Sequence, residues 1–269
     1  MKQLRRVLAQ AHPLPGGDGR LLAGIEGPHL LREALRAGLR IDCVFVAQDA
    51  EGLLQEFPLP ASSEVMLVPR PLLDQALATE TPQPLAALIE PPCWRWEDIL
   101  ASRPHAEPLF IVLTGLQDPG NLGTILRSAE AFGARAVLSL PGTVSAWNPK
   151  AVRASAGSLF RLPVIALRTE DCFARLRAAH VKIWTTAASA AEPADRVCLA
   201  GPVALLIGNE GNGVPQPLAR AADGALRIPC PGAVESLNAA VAASVLLYEA
   251  ARQRSGRGAR THRGRPSDR

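Results

Sequence analysis

The sequence has 269 residues, a formal net charge of +4 at pH 7, 48% hydrophobic residues and 20% charged residues. These proportions are typical of a globular protein with a substantial buried core, and the longest apolar runs are too short for a membrane span. Five widely separated cysteines without metal-ligand spacing indicate reduced thiols in a cytoplasmic protein that has no metal site.

Residues 1–90 alternate short apolar runs with segments of helical spacing. The predicted strands lie at 21–24, 41–46, 65–68 and 85–89, and the predicted helices at about 29–37 and 72–77. This alternation predicts a small α/β domain. The proline-rich, polar run that follows, residues 91–108, is predicted to be a linker.

A second α/β series occupies residues 109–253. Its predicted strands lie at 110–113, 136–140, 162–165, 181–185, 203–207 and 226–228, and its helices at about 121–132, 170–179 and 236–253. Strands that alternate with helices predict a mostly parallel sheet, whose ligands bind beyond the carboxyl ends of the strands.

The last residues, 254–269, are rich in Arg and Gly. Residues 252–269 contain seven Arg and one Asp, which is more positive charge than the net charge of the whole chain. We expect this tail to be disordered. Two roles stay open for it, a nonspecific attraction to nucleic-acid phosphates and a purely solubilising one.

The first of three polar corners at strand ends spans residues 113–127. In the helix that follows the turn, Asn121 and Arg127 lie off the apolar stripe and near the strand ends. The guanidinium of Arg127 suits a phosphate group, although a surface arginine paired with Glu130 or with solvent would give the same pattern.

The second corner, residues 205–215, is a strand followed by a loop of Gly and Asn. Such a loop turns sharply and presents backbone N–H groups to a ligand. Its glycine spacing matches neither a dinucleotide fingerprint nor a P-loop. Glu210 either orients an arginine or the substrate, or is an ordinary turn carboxylate.

The third corner, residues 228–238, runs from a strand through Pro and Gly to Ser236, which we expect to cap the last helix. Unpaired N–H groups at a helix start favour an anion or a cofactor there. Asn238 lies beside this helix start, and Ser236 could equally be only a cap. We expect Leu237, Val241, Val245 and Tyr248 to form the buried face of the helix.

In their order and spacing the three corners resemble motifs 1, 2 and 3 of the SpoU-type (TrmH-like) RNA 2′-O-ribose methyltransferases of the SPOUT superfamily. The matching residues are Asn121, Gly123 and Arg127, then Gly208, Glu210, Gly211 and Gly213, then Ile228, Pro229, Gly232, Ser236, Leu237 and Asn238. Two positions depart from the family pattern, Cys230 in place of Met and Ala239 in place of Val. Residues 21–89 resemble the L30e-like substrate-binding domain that many members carry.

The resemblance implies an α/β fold whose C-terminal domain has a parallel sheet and a deep trefoil knot. It also implies a homodimer that binds S-adenosylmethionine and acts on RNA. We expect neither a metal ion nor a membrane as a partner. The cofactor residues carried over by position are Thr185, Ala187, Gly208, Ile228 and Leu237.

The resemblance further implies catalytic roles. Arg127 would hold an RNA phosphate and stabilise the emerging alkoxide, since arginine resists deprotonation. Asn121 would orient the sugar or Arg127, and Glu210 would fix Arg127. Ser236 and Asn238 would position the substrate across the subunit boundary.

Alternatives to this function stay open at the level of the sequence. One is a noncatalytic RNA-binding protein, and another is methylation of a base nitrogen, although the three motifs disfavour both. Large-subunit (23S-type) rRNA is the expected substrate because of the L30e-like domain at residues 21–89, and tRNA is the alternative.

Overall fold

The computed structural model describes residues 1–17, 19–77, 79–102, 107–234 and 236–261, with side chains described up to residue 256. The chain forms two compact units. The first comprises Met1–Cys93, Leu122–Arg127 and Ser145–Arg161, and the second comprises Trp94–Asn121, Ser128–Val144 and Leu162–Arg269. No helix in the described part of the chain is both long enough and apolar enough to cross a membrane.

The N-terminal part of the chain confirms the predicted alternation of strands and helices. Its elements are α1 (Lys2–Leu8), β1 (Leu14–Pro15), β2 (Leu21–Glu26), α2 (Pro28–Arg36), β3 (Ile41–Ala47), a 3-10 segment (Gln48–Glu56), β4 (Glu64–Val68), α3 (Arg70–Leu77) and β5 (Leu85–Ile89). The five strands form a mixed sheet in the order β1-β2-β5-β3-β4. The central strand β5 is wholly buried, as its unbroken apolar sequence requires.

The rest of the chain confirms the predicted parallel sheet. Its elements are α4 (Trp96–Ala101), β6 (Leu109–Leu113), α5 (Pro119–Ala131), β7 (Ala136–Ser139), α6 (Pro149–Ala154), a 3-10 turn (Ser158–Phe160), β8 (Val164–Ala166), α7 (Thr169–Ala178), β9 (Lys182–Thr186), β10 (Glu192–Pro193), β11 (Val203–Ile207), α8 (Gln216–Ala221), β12 (Gly224–Arg227) and α9 (Ala239–Thr261). The seven strands pair in the order β10-β12-β9-β11-β6-β7-β8, and each pairing is parallel.

The strand order brings the three polar corners to one edge of this sheet. β6 and β11 are neighbours in register, with Leu113 opposite Ile207. β11 also pairs with β9, and β9 pairs with β12. Both β6 and β11 are buried along their full length, as expected for apolar strands inside a parallel sheet. The loops that leave their carboxyl ends therefore start side by side.

The segment predicted to be a linker contains helix α4, which the sequence reading missed. Trp96 is buried and stacks on Phe110 of β6, with ring centroids 5.5 Å apart. The indole supplies a large apolar surface that a solvent-exposed linker would leave in water. Residues 103–106 of this segment lie outside the described residues.

The prediction for the buried face of α9 is wrong. Leu237 precedes the helix and is half-buried. Val241, Val245 and Tyr248 are 49%, 40% and 56% exposed, and they form one stripe on the outside of the helix. The buried side chains of α9 are instead mostly small, namely Ala239, Ala240, Ala243, Leu246, Leu247 and Ala250. Four of these six are alanines, which let the helix approach its neighbours closely.

The tail is more ordered than its composition predicts, because α9 continues to Thr261. Arg254 anchors this part of the helix. Its guanidinium donates to the carbonyl oxygens of Gly201 at 2.7 Å, Glu107 at 2.8 Å and Leu199 at 3.2 Å. A charged side chain thus supplies the anchor that apolar residues do not. Residues 262–269 lie outside the described part of the chain.

All five cysteines are free thiols, as expected; Cys43 and Cys172 are buried, and Cys93, Cys198 and Cys230 are exposed. Burial raises the pKa of the Cys43 thiol to about 11 and that of the Cys172 thiol to about 12. The two buried thiols are therefore protonated at neutral pH and act as small apolar side chains.

Arg254→Ala should lower the free energy of unfolding by about 2 kcal/mol, because several carbonyls lose a charged donor at once. Arg252→Ala is the matched control, since Arg252 is exposed and, among the described residues, its side chain bonds only to Glu249 one turn away, so its replacement should cost much less. Urea unfolding followed by circular dichroism measures both. Equal losses in the two variants would show that Arg254 does not anchor the helix.

Candidate functional site

The loop after β11 depends on glycine at two positions. Asn209 and Gly213 exchange backbone hydrogen bonds of 3.0 and 2.9 Å, which closes a tight turn, and Gly213 has a φ of +65°. Gly208 lies so close to this turn that a Cβ atom would overlap the carbonyl carbon of Gly213 and the nitrogen of Val214. Gly208 is therefore required by a close backbone approach.

The carboxylate of Glu210 connects this loop to the loop after β6. It accepts a hydrogen bond from Asn121 Nδ2 at 3.0 Å and from the N–H groups of Gln117 at 3.3 Å and Asp118 at 3.2 Å. Glu210 thus holds Asn121, where the sequence reading expected it to fix Arg127. The sequence reading missed Gln117 and Asp118, because backbone donors carry no residue-type signal.

These bonds decide the ionisation of Glu210. Partial burial raises the pKa of Glu210, but the hydrogen bonds from Asn121 and from backbone N–H groups outweigh it, so the net pKa is lowered. The carboxylate is therefore ionised at neutral pH. An ionised acceptor makes stronger hydrogen bonds than a neutral one, which stiffens the contact between the two loops.

Asn121 and Asn238 extend this network to the start of α9. Asn238 Nδ2 donates to Asn121 Oδ1 at 3.0 Å, and Asn238 Oδ1 accepts from the N–H group of Ala240 at 2.9 Å. Asn238 is therefore the residue that caps α9, and the expectation that Ser236 is the cap is wrong. Ser236 lies two residues earlier and is exposed.

Arg127 lies on α5, whose start is fixed by the Asp118 side chain, which accepts from the N–H groups of Gly120 and Asn121. The Arg127 side chain is exposed. It has no hydrogen-bond or ion-pair partner among the residues that the structure describes. A guanidinium with no partner of its own is available to bind a phosphate.

A cavity of about 560 Å³ opens beyond the carboxyl ends of β9, β11 and β12. The residues expected to bind the cofactor all line it, namely Thr185, Ala187, Gly208, Ile228 and Leu237. Glu210 and Ser236 line it as well. Its volume is in the range of small-molecule sites.

The buried hydroxyl of Thr185 supports a polar ligand in this cavity. Thr185 is only 3% exposed, and its Oγ1 atom has no hydrogen-bond partner among the described residues. A buried polar atom without a partner is costly, so a bound molecule that pairs with it gains that energy. Among the same described residues, no group of three or more His, Cys, Asp and Glu side chains could hold a metal ion.

Two family models match this chain. The model of the SpoU rRNA Methylase family matches residues 108–248, and the model described as RNA 2′-O ribose methyltransferase substrate binding matches residues 25–93. The first range contains the three corners and the cavity, and the second contains most of the N-terminal sheet.

One named relative and two solved structures agree with these matches. The chain is 35% identical over 228 residues to the 23S rRNA (guanosine(2553)-2′-O)-methyltransferase RlmP of Bacillus subtilis (strain 168), which covers 83% of this chain and 86% of the relative. The fold of this chain is similar to that of the SpoU methyltransferase AviRb of Streptomyces viridochromogenes in complex with AdoMet. The TM-score is 0.80 and the identity 27%, and the match covers 94% of this chain and 97% of AviRb. An AdoMet-bound rRNA methyltransferase from Sinorhizobium meliloti gives a TM-score of 0.77, with 30% identity and 93% coverage of each chain.

Glu210→Gln should lower the Tm at pH 7, because the Gln amide nitrogen cannot accept hydrogen bonds from the N–H groups that donate to the carboxylate. The pKa of Glu210 is lowered in the folded state, so its contribution is full above the ordinary value of about 4.3 and is lost as the pH falls through the lowered value. The Tm difference between wild type and variant should therefore shrink below about pH 4.

Thermal unfolding from pH 7 to pH 3 measures this difference. Glu51→Gln is the control, since Glu51 is an exposed carboxylate of the first unit and its replacement should leave the Tm unchanged. A Glu210→Gln difference that stays constant over this pH range would contradict the role of the ionised carboxylate.

Proposed function

Because the chain belongs to the SpoU family of RNA methyltransferases, we propose that it transfers a methyl group from S-adenosylmethionine to a ribose 2′-hydroxyl of RNA. One observation carries the proposal. The 560 Å³ cavity at the carboxyl edge of the parallel sheet is bordered by Glu210, which through Asn121 fixes Asn238 at the start of α9. The cavity is a place for a cofactor, and the exposed polar groups beside it are a place for RNA.

The residues of the cavity fit S-adenosylmethionine. Backbone groups around Gly208, Ile228 and Leu237 would hold the cofactor together with Ala187, and the unpaired hydroxyl of Thr185 would bond to one of its polar atoms. When bound, the cofactor supplies an electrophilic methyl group on a sulfonium. The displacement then depends mainly on alignment, which a fixed network provides.

Side chains of the three polar corners supply the rest of the catalysis. Arg127 binds an RNA phosphate and stabilises the negative charge that develops on the 2′-oxygen. Because arginine side chains resist deprotonation, the proton of the hydroxyl leaves to the phosphate or to water. Asn121 and Ser236 orient the ribose. Glu210 acts on Asn121 and does not act on Arg127.

We place the substrate in large-subunit (23S-type) rRNA. The support is the name of the Bacillus subtilis relative, a 23S rRNA methyltransferase that aligns with both parts of this chain. The match of residues 25–93 to a substrate-binding model is consistent with a structured RNA. The Arg-rich tail, residues 254–269, would add nonspecific affinity for RNA phosphates.

The exposed stripe on α9 supports a homodimer. Val241, Val245 and Tyr248 lie on one face of the helix that starts at Asn238. A contiguous apolar stripe of this kind is typical of a protein interface. A second copy that covers the stripe would bring its own surface to the start of α9, so that Ser236 and Asn238 contact substrate at the subunit boundary.

Three further assignments complete the proposal. The C-terminal segment forms a trefoil knot, a proposal that rests on the family resemblance of this part of the chain. The functional domains are residues 1–90 for RNA binding and 109–253 for methyl transfer, joined by residues 91–108 and followed by the tail 254–269. The protein acts in the cytoplasm, where its free cysteines stay reduced.

Arg127→Ala should reduce methyl transfer by at least about a thousandfold, because the developing charge loses its stabilising group. Cofactor affinity should stay within a few fold of wild type in calorimetry. Arg127→Lys should restore only part of the activity, since Lys keeps the charge and loses the planar donors. Lost cofactor affinity in Arg127→Ala would instead place Arg127 in the cofactor site.

The assay uses labelled S-adenosylmethionine with unmodified rRNA and tRNA pools, followed by mapping of the methylated ribose. Label on one ribose of large-subunit rRNA is the expected result. Label only on tRNA would overturn the choice of substrate, and label on a base would overturn the chemistry.

Val245→Asp should convert the dimer to a monomer and abolish activity, because a charge in the apolar stripe cannot be covered without a large desolvation cost. Val65→Asp is the control, since Val65 on β4 is 44% exposed and lies in the N-terminal sheet. Sedimentation and methyl transfer are measured together. A Val245→Asp variant that stays dimeric would move the interface elsewhere.

A further inference from the structure

The side chain of Asn209 links the two loops that form the site. Its amide nitrogen donates to the carbonyl oxygen of Gly115 at 2.8 Å, and its amide oxygen accepts from the N–H groups of Gly211 at 2.9 Å and Asn212 at 3.2 Å. A carbonyl requires a donor and N–H groups require an acceptor. These partners therefore fix the orientation of the amide without ambiguity.

The same amide nitrogen lies 3.4 Å from Glu210 Oε2. The other donors to Glu210 come from Asn121 and from the backbone of Gln117 and Asp118, all of which lie on the loop and helix that follow Gly115. The hydrogen bond from Asn209 to Gly115 thus joins the loop after β11 to the loop after β6, directly beside Glu210. It sets the distance between the carboxylate and its donors.

The loop that carries Glu210 needs such a restraint. Gly208, Gly211 and Gly213 give it the close turn that the cavity requires, but glycine loses more conformational freedom on folding than any other residue. Asn209 ties this loop to itself through two N–H groups and to the neighbouring loop through one carbonyl. One side chain thereby supplies the order that the glycines do not.

We infer that Asn209 is a positioning residue for methyl transfer, which holds the glycine loop so that Glu210 keeps Asn121 and Asn238 in place. Asn209 also lines the cavity, but its amide is engaged by Gly115, Gly211 and Asn212, so we assign it a role through Glu210 and no contact with the reacting atoms. The inference rests on the proposed function, because the reaction that it serves is the proposed methyl transfer. It concerns a residue whose type was read from the sequence only as turn-forming.

The test is Asn209→Asp, which keeps the size of the side chain and the oxygen that accepts from Gly211 and Asn212. It replaces the donor by a carboxylate oxygen that faces the carbonyl of Gly115 and the carboxylate of Glu210. The lost bond and the repulsion should lower kcat by at least about tenfold at pH 7. The acidic limb of the kcat–pH profile should move to higher pH, because a second negative charge raises the pKa of Glu210.

Two further variants separate positioning from a general loss of structure. Asn209→Ala removes the donor without adding charge, so kcat should fall and the acidic limb should move to higher pH by less than in Asn209→Asp, since Glu210 loses a nearby donor but meets no new charge. Asn148→Asp makes the same amide-to-acid change where Asn148 caps α6 by accepting from the N–H group of Lys150. A carboxylate is favoured at a helix N-terminus, so kcat and the acidic limb should both stay as in wild type.

The outcomes are distinct. If wild type methylates RNA and Asn209→Asp matches it in kcat and in the acidic limb, the positioning role is overturned and the proposed function stands. If kcat falls only in proportion to the folded fraction seen by circular dichroism, the role is merely structural and the inference is also overturned. If wild type methylates neither rRNA nor tRNA, the proposed function fails and the inference fails with it.

Discussion

The contact of one carboxylate with the opposite loop is the interaction on which the site depends. Glu210 lies about ninety positions along the chain from the residues that donate hydrogen bonds to it, which are Gln117, Asp118 and Asn121. Burial works against the charged form, and the hydrogen bonds more than compensate, so the pKa is lowered and the charge is kept. Without this charge the two loops would share only neutral contacts, which are about half as strong.

The parallel sheet determines where this contact can form. Because β6 and β11 are adjacent and in register, the loops that follow them leave the sheet side by side. The neighbours β9 and β12 contribute Thr185 and the chain up to Ile228 to the same edge. The cavity is therefore a consequence of strand order. Gly208 lacks the Cβ atom that would overlap the backbone of the turn, so the turn can close.

Helix α9 serves three purposes along its length. Asn238 at its start joins the side-chain network, and the exposed stripe of Val241, Val245 and Tyr248 offers a surface to a second copy. Arg254 near its end fixes it to backbone carbonyls of the second unit. A displacement of this helix would therefore disturb the site as well as the proposed interface.

The sequence by itself determined the fold class and the positions of most strands, because apolar periodicity is a local feature that packing does not alter. The resemblance of its three corners to the family motifs supplied five of the residues that line the cavity. It could not determine which face of α9 is buried, that Asn238 and not Ser236 caps the helix, that Trp96 packs on the sheet, or that Glu210 holds Asn121 and not Arg127. Each of these depends on a contact between residues far apart in the chain. Only the tertiary structure decides such contacts, since burial and hydrogen-bond partners are properties of the packed molecule.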